Sequence, residues 1–335
     1  MFEDYMPIQS LDIEAESKIT FDLFVNLPLN NKYILYRKAG GRLEANRLEL
    51  LSQRNLSNFF IHKKDYAAFV KYVANRMKSL VNCADTSENR KLMVSAAKAI
   101  LSSTLGQVDP AMTNALMGNL NDITAMIIES VLETSGIYKK KTFQKLAALA
   151  AKGTDFQKHP VNVSSLAVLI TFGIGYNNDR IVADLAMAAL LHDVGLSRIQ
   201  PRLILQAHDC ANLQLADRKE IYQHSQHSID ILRERGLKLS QMAETIILQH
   251  HEEFNGSGYP KGLRGYHLNE LAQVVRVADD LDRIINEPVP TSRPGDVAGD
   301  LPLLLKVRVS EYLRQLGEGK VIEPALLQRI SAVLS

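Results

Sequence analysis

AMAALLHDVG, residues 186–195, is a run of Ala, Met and Leu that closes on His192 and Asp193. The spacing predicts an apolar, buried helix, and two ionisable groups at the end of such a helix are costly unless they are paired with each other or bound to a metal. The fold is therefore expected to be mainly α, with a polar site held at helix ends. Working outward, the nine histidines are unevenly placed. His62 stands alone before residue 150, while His159, His192, His208, His224, His227, His250, His251 and His267 crowd the region after it. His62, His208 and His267 read as surface or hydrogen-bonded residues. In RVADDLDRI, residues 276–284, Asp279 also follows an apolar run on a helix.

Imidazole nitrogen with carboxylate oxygen suits iron, manganese or zinc, and no Cys lies near enough for a thiolate-rich structural zinc site. His159, His192, Asp193, His224, His250, His251 and Asp279 are enough for two metals sharing a bridging carboxylate. Adjacent helical residues diverge by roughly 100°. His250 and His251 can thus serve one centre only at a helix end or flanking a cluster. A two-metal centre most often hydrolyses phosphoesters. Downstream, HHEEFNGSGYPKG, residues 250–262, adds a glycine-rich loop. Gly256 and Gly258 permit positive φ and close approach of backbone N–H groups to a phosphate, and the bland alternative is a tight turn after a helix.

These residues give the chain its resemblance to the HD-GYP branch of the HD phosphohydrolase superfamily, over roughly residues 150 to 285. His192-Asp193-Val194-Gly195 is similar to the HD signature, and His250-His251-Glu252 followed by Gly256-Ser257-Gly258-Tyr259-Pro260 to the GYP signature. The resemblance implies a helical bundle with all seven residues above as ligands of two metal ions, iron the usual occupant and manganese or zinc the alternatives. It also implies His192 and Asp193 as the catalytic pair, Asp193 as the bridge, and cyclic di-GMP as the substrate. Arg198, Gly256, Gly258 and Tyr259 are the candidate substrate-binding residues. A third metal would need an acidic ligand one turn before His159, where Asp155 stands in place of the usual glutamate.

Other positions depart from the family pattern. The HD signature normally runs on to a glycine-lysine pair, and the lysine's place is held by Leu196. Arg202 stands where an aspartate is usual, Asn255 precedes the first loop glycine in place of aspartate, and EPVPTSRPGD (287–296) replaces an Arg-Pro-Tyr segment. Attenuated hydrolysis is one expectation. A catalytically impaired nucleotide sensor or protein-interaction adaptor is the alternative, and a generic nucleotide hydrolase is a third reading. Leu196→Lys is expected to raise hydrolysis with metal content unchanged, unless Arg198 already supplies the charge.

The rest of the chain sets bounds. Its 335 residues carry 39 basic and 37 acidic side chains for a formal charge of +2, so no general nucleic-acid-binding surface is implied. Two cysteines without a CxxC give no disulfide framework. No segment has the roughly 18 uninterrupted apolar residues of a membrane span, and a cytoplasmic protein is expected. Residues 1–80 read as a small α/β regulatory or docking domain, 81–145 as a helical connector and 146–335 as the helical metal-binding domain. In the first, KITFDLFVNLPLNNKYILY (18–36) is an expected hairpin, NFFIH (58–62) a strand, and Asp65 the N-cap of a helix carrying Phe69, Val70 and Val73 on one face. Within 42–55 helical spacing is also expected. Lys139–Lys141 reads as a solvated face. A signalling-protein partner could dock on the N-terminal domain or the GYP loop, and a homodimer is a further expectation.

Overall fold

The computed structural model describes residues 4–9, 13–27, 32–44, 58–66, 68, 69, 71–73, 75, 113–135, 159–204, 213–286 and 301–334. The chain divides into two compact units, Met1–Ile123 and Thr124–Ser335. The connector expected over 81–145 is described only across helix α1 (Thr113–Ser135). Leu116, Leu120, Ile123, Ile127 and Val131 form its buried stripe, as their spacing predicts. The expected helix at 42–55, Val70, His208, Lys139–Lys141, Asp155 and the 287–296 loop lie outside the described residues, apart from 42–44.

The first unit holds an antiparallel sheet of β1 (Tyr5–Gln9), β2 (Leu23–Leu27), β3 (Lys32–Arg37) and β4 (Asn58–His62) in the order β1-β4-β2-β3. The β2–β3 pair is the expected hairpin, starting at Leu23 rather than at Ile19. Ile19 instead exchanges backbone hydrogen bonds with the turn at Gly40 (φ +87°) and Gly41. One face buries Ile8, Leu23, Phe59 and Ile61. Ile19 and Phe21 join them, with Phe21 edge-on to Phe69 and Tyr72 at 5.5 Å each. Asp65 ends a 3-10 turn, Lys63–Asp65, that leads into helix at Tyr66 and is itself capped by His62, whose imidazole accepts from the Lys64 N–H. The ring reaches the N–H two residues ahead, the local bond that an Asx side chain makes elsewhere.

The second unit is built of helices joined by turns and loops, with no strand among its described residues. Helix α2 (His159–Gly173) buries Val161, Val163, Leu166, Ala167, Val168 and Ile170 and has no polar stripe, which makes it the central helix. It packs against α3 (Asp179–Leu191) and α8 (Glu270–Asn286), and α3 packs against α7 (Gln241–Gln249). Asn178 caps α3 through the Ile181 N–H, and Ser240 caps α7 through the Ala243 N–H. After α3 come a 3-10 turn (Val194–Arg198), α4 (Pro201–Ile204), α5 (Leu215–Tyr222) and α6 (His224–Glu234). Ile199, Leu203 and Ile221 form a small apolar cluster here, with Leu196, Ile204, Leu213 and Tyr222 packed on it. Helices α9 (Leu301–Glu318) and α10 (Pro324–Leu334) pair with each other and complete the unit. Among the described residues no helix is long and apolar enough to cross a membrane.

Candidate metal centre

The folding of this unit brings four helix ends and one mid-helix carboxylate to one place. His159 opens α2, His192 and Asp193 close α3, His224 opens α6, and His250 and His251 follow the last residue of α7. The His250-His251 pair sits at a helix end, one of the two placements that lets neighbouring rings serve one centre. Asp279 projects from α8 and is fully buried. Asp193, His224, His250 and His251 form one group of potential ligands, and His159, His192 and Asp193 a second, with Asp193 common to both. Its two oxygens face different ways. Oδ1 lies 3.4 Å from His224 Nε2 and 3.8 Å from His250 Nε2, whereas Oδ2 lies 3.4 Å from His192 Nε2 and 3.7 Å from His159 Nε2. Asp279 joins through His159, its Oδ1 being 3.5 Å from Nε2.

The backbone fixes which nitrogen of each ring faces inward. His192, His224 and His250 direct Nδ1 at the carbonyl three residues earlier, Ala189 at 2.8 Å, Ile221 at 2.7 Å and Ile247 at 2.6 Å. A carbonyl only accepts, so each Nδ1 carries a proton and each neutral ring presents a lone pair at Nε2. His224 Nε2 and His250 Nε2 then face each other at 3.3 Å beside a carboxylate oxygen. Buried His192 Nε2 has no hydrogen-bond partner. Several acceptors converging with no donor among them make an unfavourable arrangement unless a cation stands between them, and the donor set of imidazole and carboxylate suits iron, manganese or zinc. The residues present therefore fit metal ions.

The electrostatics differ between the halves. Burial lowers the pKa of His224, His250 and His251, and mutual repulsion adds to it at the last two, taking His250 to about 3. At His159 burial works the same way, but bonds to Asp193 and Asp282 and the charge of Asp279 overcome it and push the ring up to about 10. His192 is raised as well, by Asp193 against burial. Burial favours the neutral acid at Asp193, yet the surrounding imidazoles hold its carboxyl well below the usual range. A proton thus takes the cation's place at the His159 half, and metal loading there must displace it.

Acid sensitivity follows for protein stripped with chelator. The folded chain keeps His250 neutral while the unfolded chain takes up a proton below 6.5, so this stability is lost as pH falls from 6.5 toward about 3. His224 and His251 act with the same sign. The His159 contribution is opposite in sign, fully present below 6.5 and lost only as pH rises toward about 10, so it does not offset the acid effect. The melting temperature of stripped protein should fall steadily from about pH 6.5 to about pH 4.5. A flat profile there would show that these rings charge as easily folded as unfolded.

Three supporting residues escaped the sequence reading. Asp282 Oδ2 holds His159 Nδ1 at 2.8 Å, and its place three residues after Asp279 on one helix face was the available signal. Ser228 Oγ donates to the His192 carbonyl at 2.7 Å and accepts from the Gly195 N–H at 2.8 Å. A Cβ at Gly195 would lie 1.9 Å from the His224 carbonyl oxygen, so glycine lets α6 seat on the His192-Asp193 turn. Buried Glu252 accepts the N–H groups of Lys261 at 2.7 Å and Leu263 at 2.9 Å and so folds the glycine loop back on itself. Glu252→Gln puts an amide donor against one of those N–H groups. It should cost about 1–3 kcal/mol, read as a lower urea midpoint. An unchanged midpoint would mean that the loop is held by other bonds.

The candidate substrate-binding residues are differently placed. Gly256 (φ +84°) donates its N–H to the Glu253 carbonyl at 2.7 Å, so that group is occupied in the turn instead of facing a phosphate. A Cβ at Gly258 would lie 2.5 Å from the His251 carbonyl, so its role is close approach. Tyr259 stacks on His251 at 4.7 Å and on Tyr222 at 4.0 Å, forming a wall beside that ligand. Asn255 braces the loop, donating to the Gly319 carbonyl at 2.7 Å and accepting from the Ser257 N–H at 2.7 Å. Arg198 is ion-paired with Glu234, and Arg202 with Asp217 at 2.8 Å. His267 lies in a 3-10 turn, Gly265–His267.

Residues 146–297 match the family model described as HD domain. A cyclic di-GMP phosphodiesterase of Thermotoga maritima is 31% identical over 115 residues, 34% of this chain and 30% of that protein. A 3'3'-cGAMP-specific phosphodiesterase of Vibrio cholerae is 30% identical over 97 residues, 29% of this chain and 18% of that one. The alignments thus span less than a third of either relative. Bd1817, described as an HDG"Y"P protein from Bdellovibrio bacteriovorus, has a similar fold at TM-score 0.62 and 20% identity, with 99% of each chain covered.

Proposed function

We propose that the chain, whose residues 146–297 match the HD domain family and whose motifs resemble its HD-GYP branch, is a metal-dependent phosphodiesterase acting on cyclic dinucleotides, cyclic di-GMP first among them. The observation that carries this is the carboxylate of Asp193 shared between two groups of converging imidazoles. His159, His192 and Asp279 would hold one metal, His224, His250 and His251 the other, and Asp193 both. Bound there, two metals would lower the pKa of a water and neutralise charge on the phosphoryl oxygens. The chain's own contribution is orientation. Of the five rings, the carbonyls of Ala189, Ile221 and Ile247 fix those of His192, His224 and His250, and Asp282 fixes that of His159. Of the candidate ligands only Asp193 and His159 keep partly exposed side chains, 13% and 15%, so a phosphate reaches the centre from their side. Tyr259 shields His251 on the other.

The second reading, a nucleotide sensor or adaptor with little turnover, is favoured by Leu196, whose side chain packs in the apolar cluster where the family places a cation. The test is incubation of protein holding iron or manganese, under reducing conditions, with cyclic di-GMP and 3'3'-cGAMP in parallel. Linear dinucleotide or GMP is the expected product. Binding without turnover supports the sensor. Neither binding nor turnover leaves a structural metal core.

A further inference from the structure

The family lysine's position is held by Leu196, so a cation that assists the metals in meeting the negative charge of a phosphodiester must come from elsewhere. Among the described residues, Arg283 is a cation placed to do so. It stands one helical turn after Asp279 on α8, and a terminal nitrogen lies 3.5 Å from the outer oxygen of that carboxylate, Oδ2. Asp279 is fully buried and Arg283 is 31% exposed, so the guanidinium spans from the centre to solvent. This is also the His159 side, where the centre opens. Two further features hold it there. Arg283 pairs with Asp280, which is itself clasped by Arg276 Nε at 2.8 Å and the Tyr312 hydroxyl at 2.8 Å. Arg276 in turn lies 3.7 Å from Glu253 and so serves the scaffold. Arg283 Nε, by contrast, is buried with no hydrogen-bond partner.

We propose that Arg283 binds a non-bridging phosphate oxygen of the substrate at the open side of the metal centre. The inference rests on the phosphodiesterase reading for the identity of that substrate. A guanidinium is planar and rigid, so once its tip is fixed by Asp280 its remaining donors stay aimed, at small entropic cost, toward an anion arriving beside Asp279. The ion pair with Asp279 sets this positive charge directly against one of the seven candidate ligands. The role is grip on the anion, and its signature is affinity for a tetrahedral anion and KM more than kcat.

The test uses the full chain loaded with manganese. Inorganic phosphate binding is measured by calorimetry and metal content by mass spectrometry for wild type, Arg283→Ala and Arg283→Lys, with cyclic di-GMP kinetics alongside. Arg283→Ala should keep its metals and weaken phosphate binding roughly tenfold to a hundredfold, the loss of a charge-assisted bond, and Arg283→Lys should recover part of it. Unchanged phosphate affinity with metals in place overturns the proposal. So does metal loss in both variants, which would make Arg283 a brace for Asp279, and so does a loaded wild type that binds no phosphate. If phosphate binding depends on Arg283 but no cyclic dinucleotide is cleaved, the activity reading fails and the Arg283 assignment stands. Turnover with wild-type KM and phosphate affinity in Arg283→Ala overturns the Arg283 assignment and leaves the activity reading in place.

Discussion

Asp193→Ala is expected to remove both proposed metals and to reduce hydrolysis by at least about a thousandfold, equivalent to roughly 4 kcal/mol of transition-state stabilisation. The size of the effect comes from geometry. Oδ1 faces His224 and His250 while Oδ2 faces His192 and His159, so one truncation strips an anionic ligand from each half. What remains is three imidazoles in one half and two imidazoles with Asp279 in the other, and each set binds a divalent cation less tightly than the same set with Asp193 added. His192→Ala is the control, because it removes a ligand from one half only. Its metal content should fall from two per chain toward one. Both variants are to be assayed by mass spectrometry after purification without chelator, with circular dichroism to show that the helices persist. Two metals per chain in Asp193→Ala would sink the shared-carboxylate reading, and equal losses in the two variants would mean that the halves load together.

Much of this centre was legible in the sequence because its constraints are local. An apolar helix ending in His192-Asp193 and a helix ending in His250-His251 each announce an ionisable pair where burial is costly, whatever surrounds them. The buried stripe from Leu116 to Val131 was readable for the same reason, since helical periodicity is a property of the segment itself. What was not legible depends on partners distant in sequence. Gly256, directly after His-His-Glu, reads as a phosphate-facing residue, with a plain turn as the alternative, and its N–H meets the Glu253 carbonyl in the structure. Arg198 reads as a free cation until Glu234, on another helix, is found beside it. The 3-10 turn at Lys63–Asp65, capped by His62, has no periodic signal of its own to announce it. Asp282 and Arg283 follow the candidate ligand Asp279 in a polar run, DDLDR, that only Leu281 interrupts. Which of those charges turn inward follows from the packing of α8 against α2.

Leu196→Lys tests what the centre does without its lysine. A cation beside a developing pentacovalent phosphorus typically contributes roughly 3 to 4 kcal/mol, so kcat could rise by about a hundredfold to a thousandfold at the upper limit. The structure adds an opposing term. Leu196 packs on Ile199, Leu203 and Ile221, and exchanging it for lysine gives up about 1–2 kcal/mol of apolar burial, a loss of stability rather than of rate. Lysine can limit that loss by laying its methylene stem along the cluster while its ammonium leaves it. The expected result is therefore a protein that melts a few degrees lower, holds the same metal and turns over cyclic di-GMP faster at saturating substrate. Arg198→Ala is the companion variant. Its guanidinium is engaged by Glu234, so removing it should leave kcat near the starting value. Should Arg198→Ala abolish turnover while Leu196→Lys changes nothing, Arg198 releases Glu234 on binding substrate and already fills the lysine's role. If both variants are inactive with metals bound, the segment at 287–296, where the family carries Arg-Pro-Tyr, is the stronger explanation for an impaired enzyme.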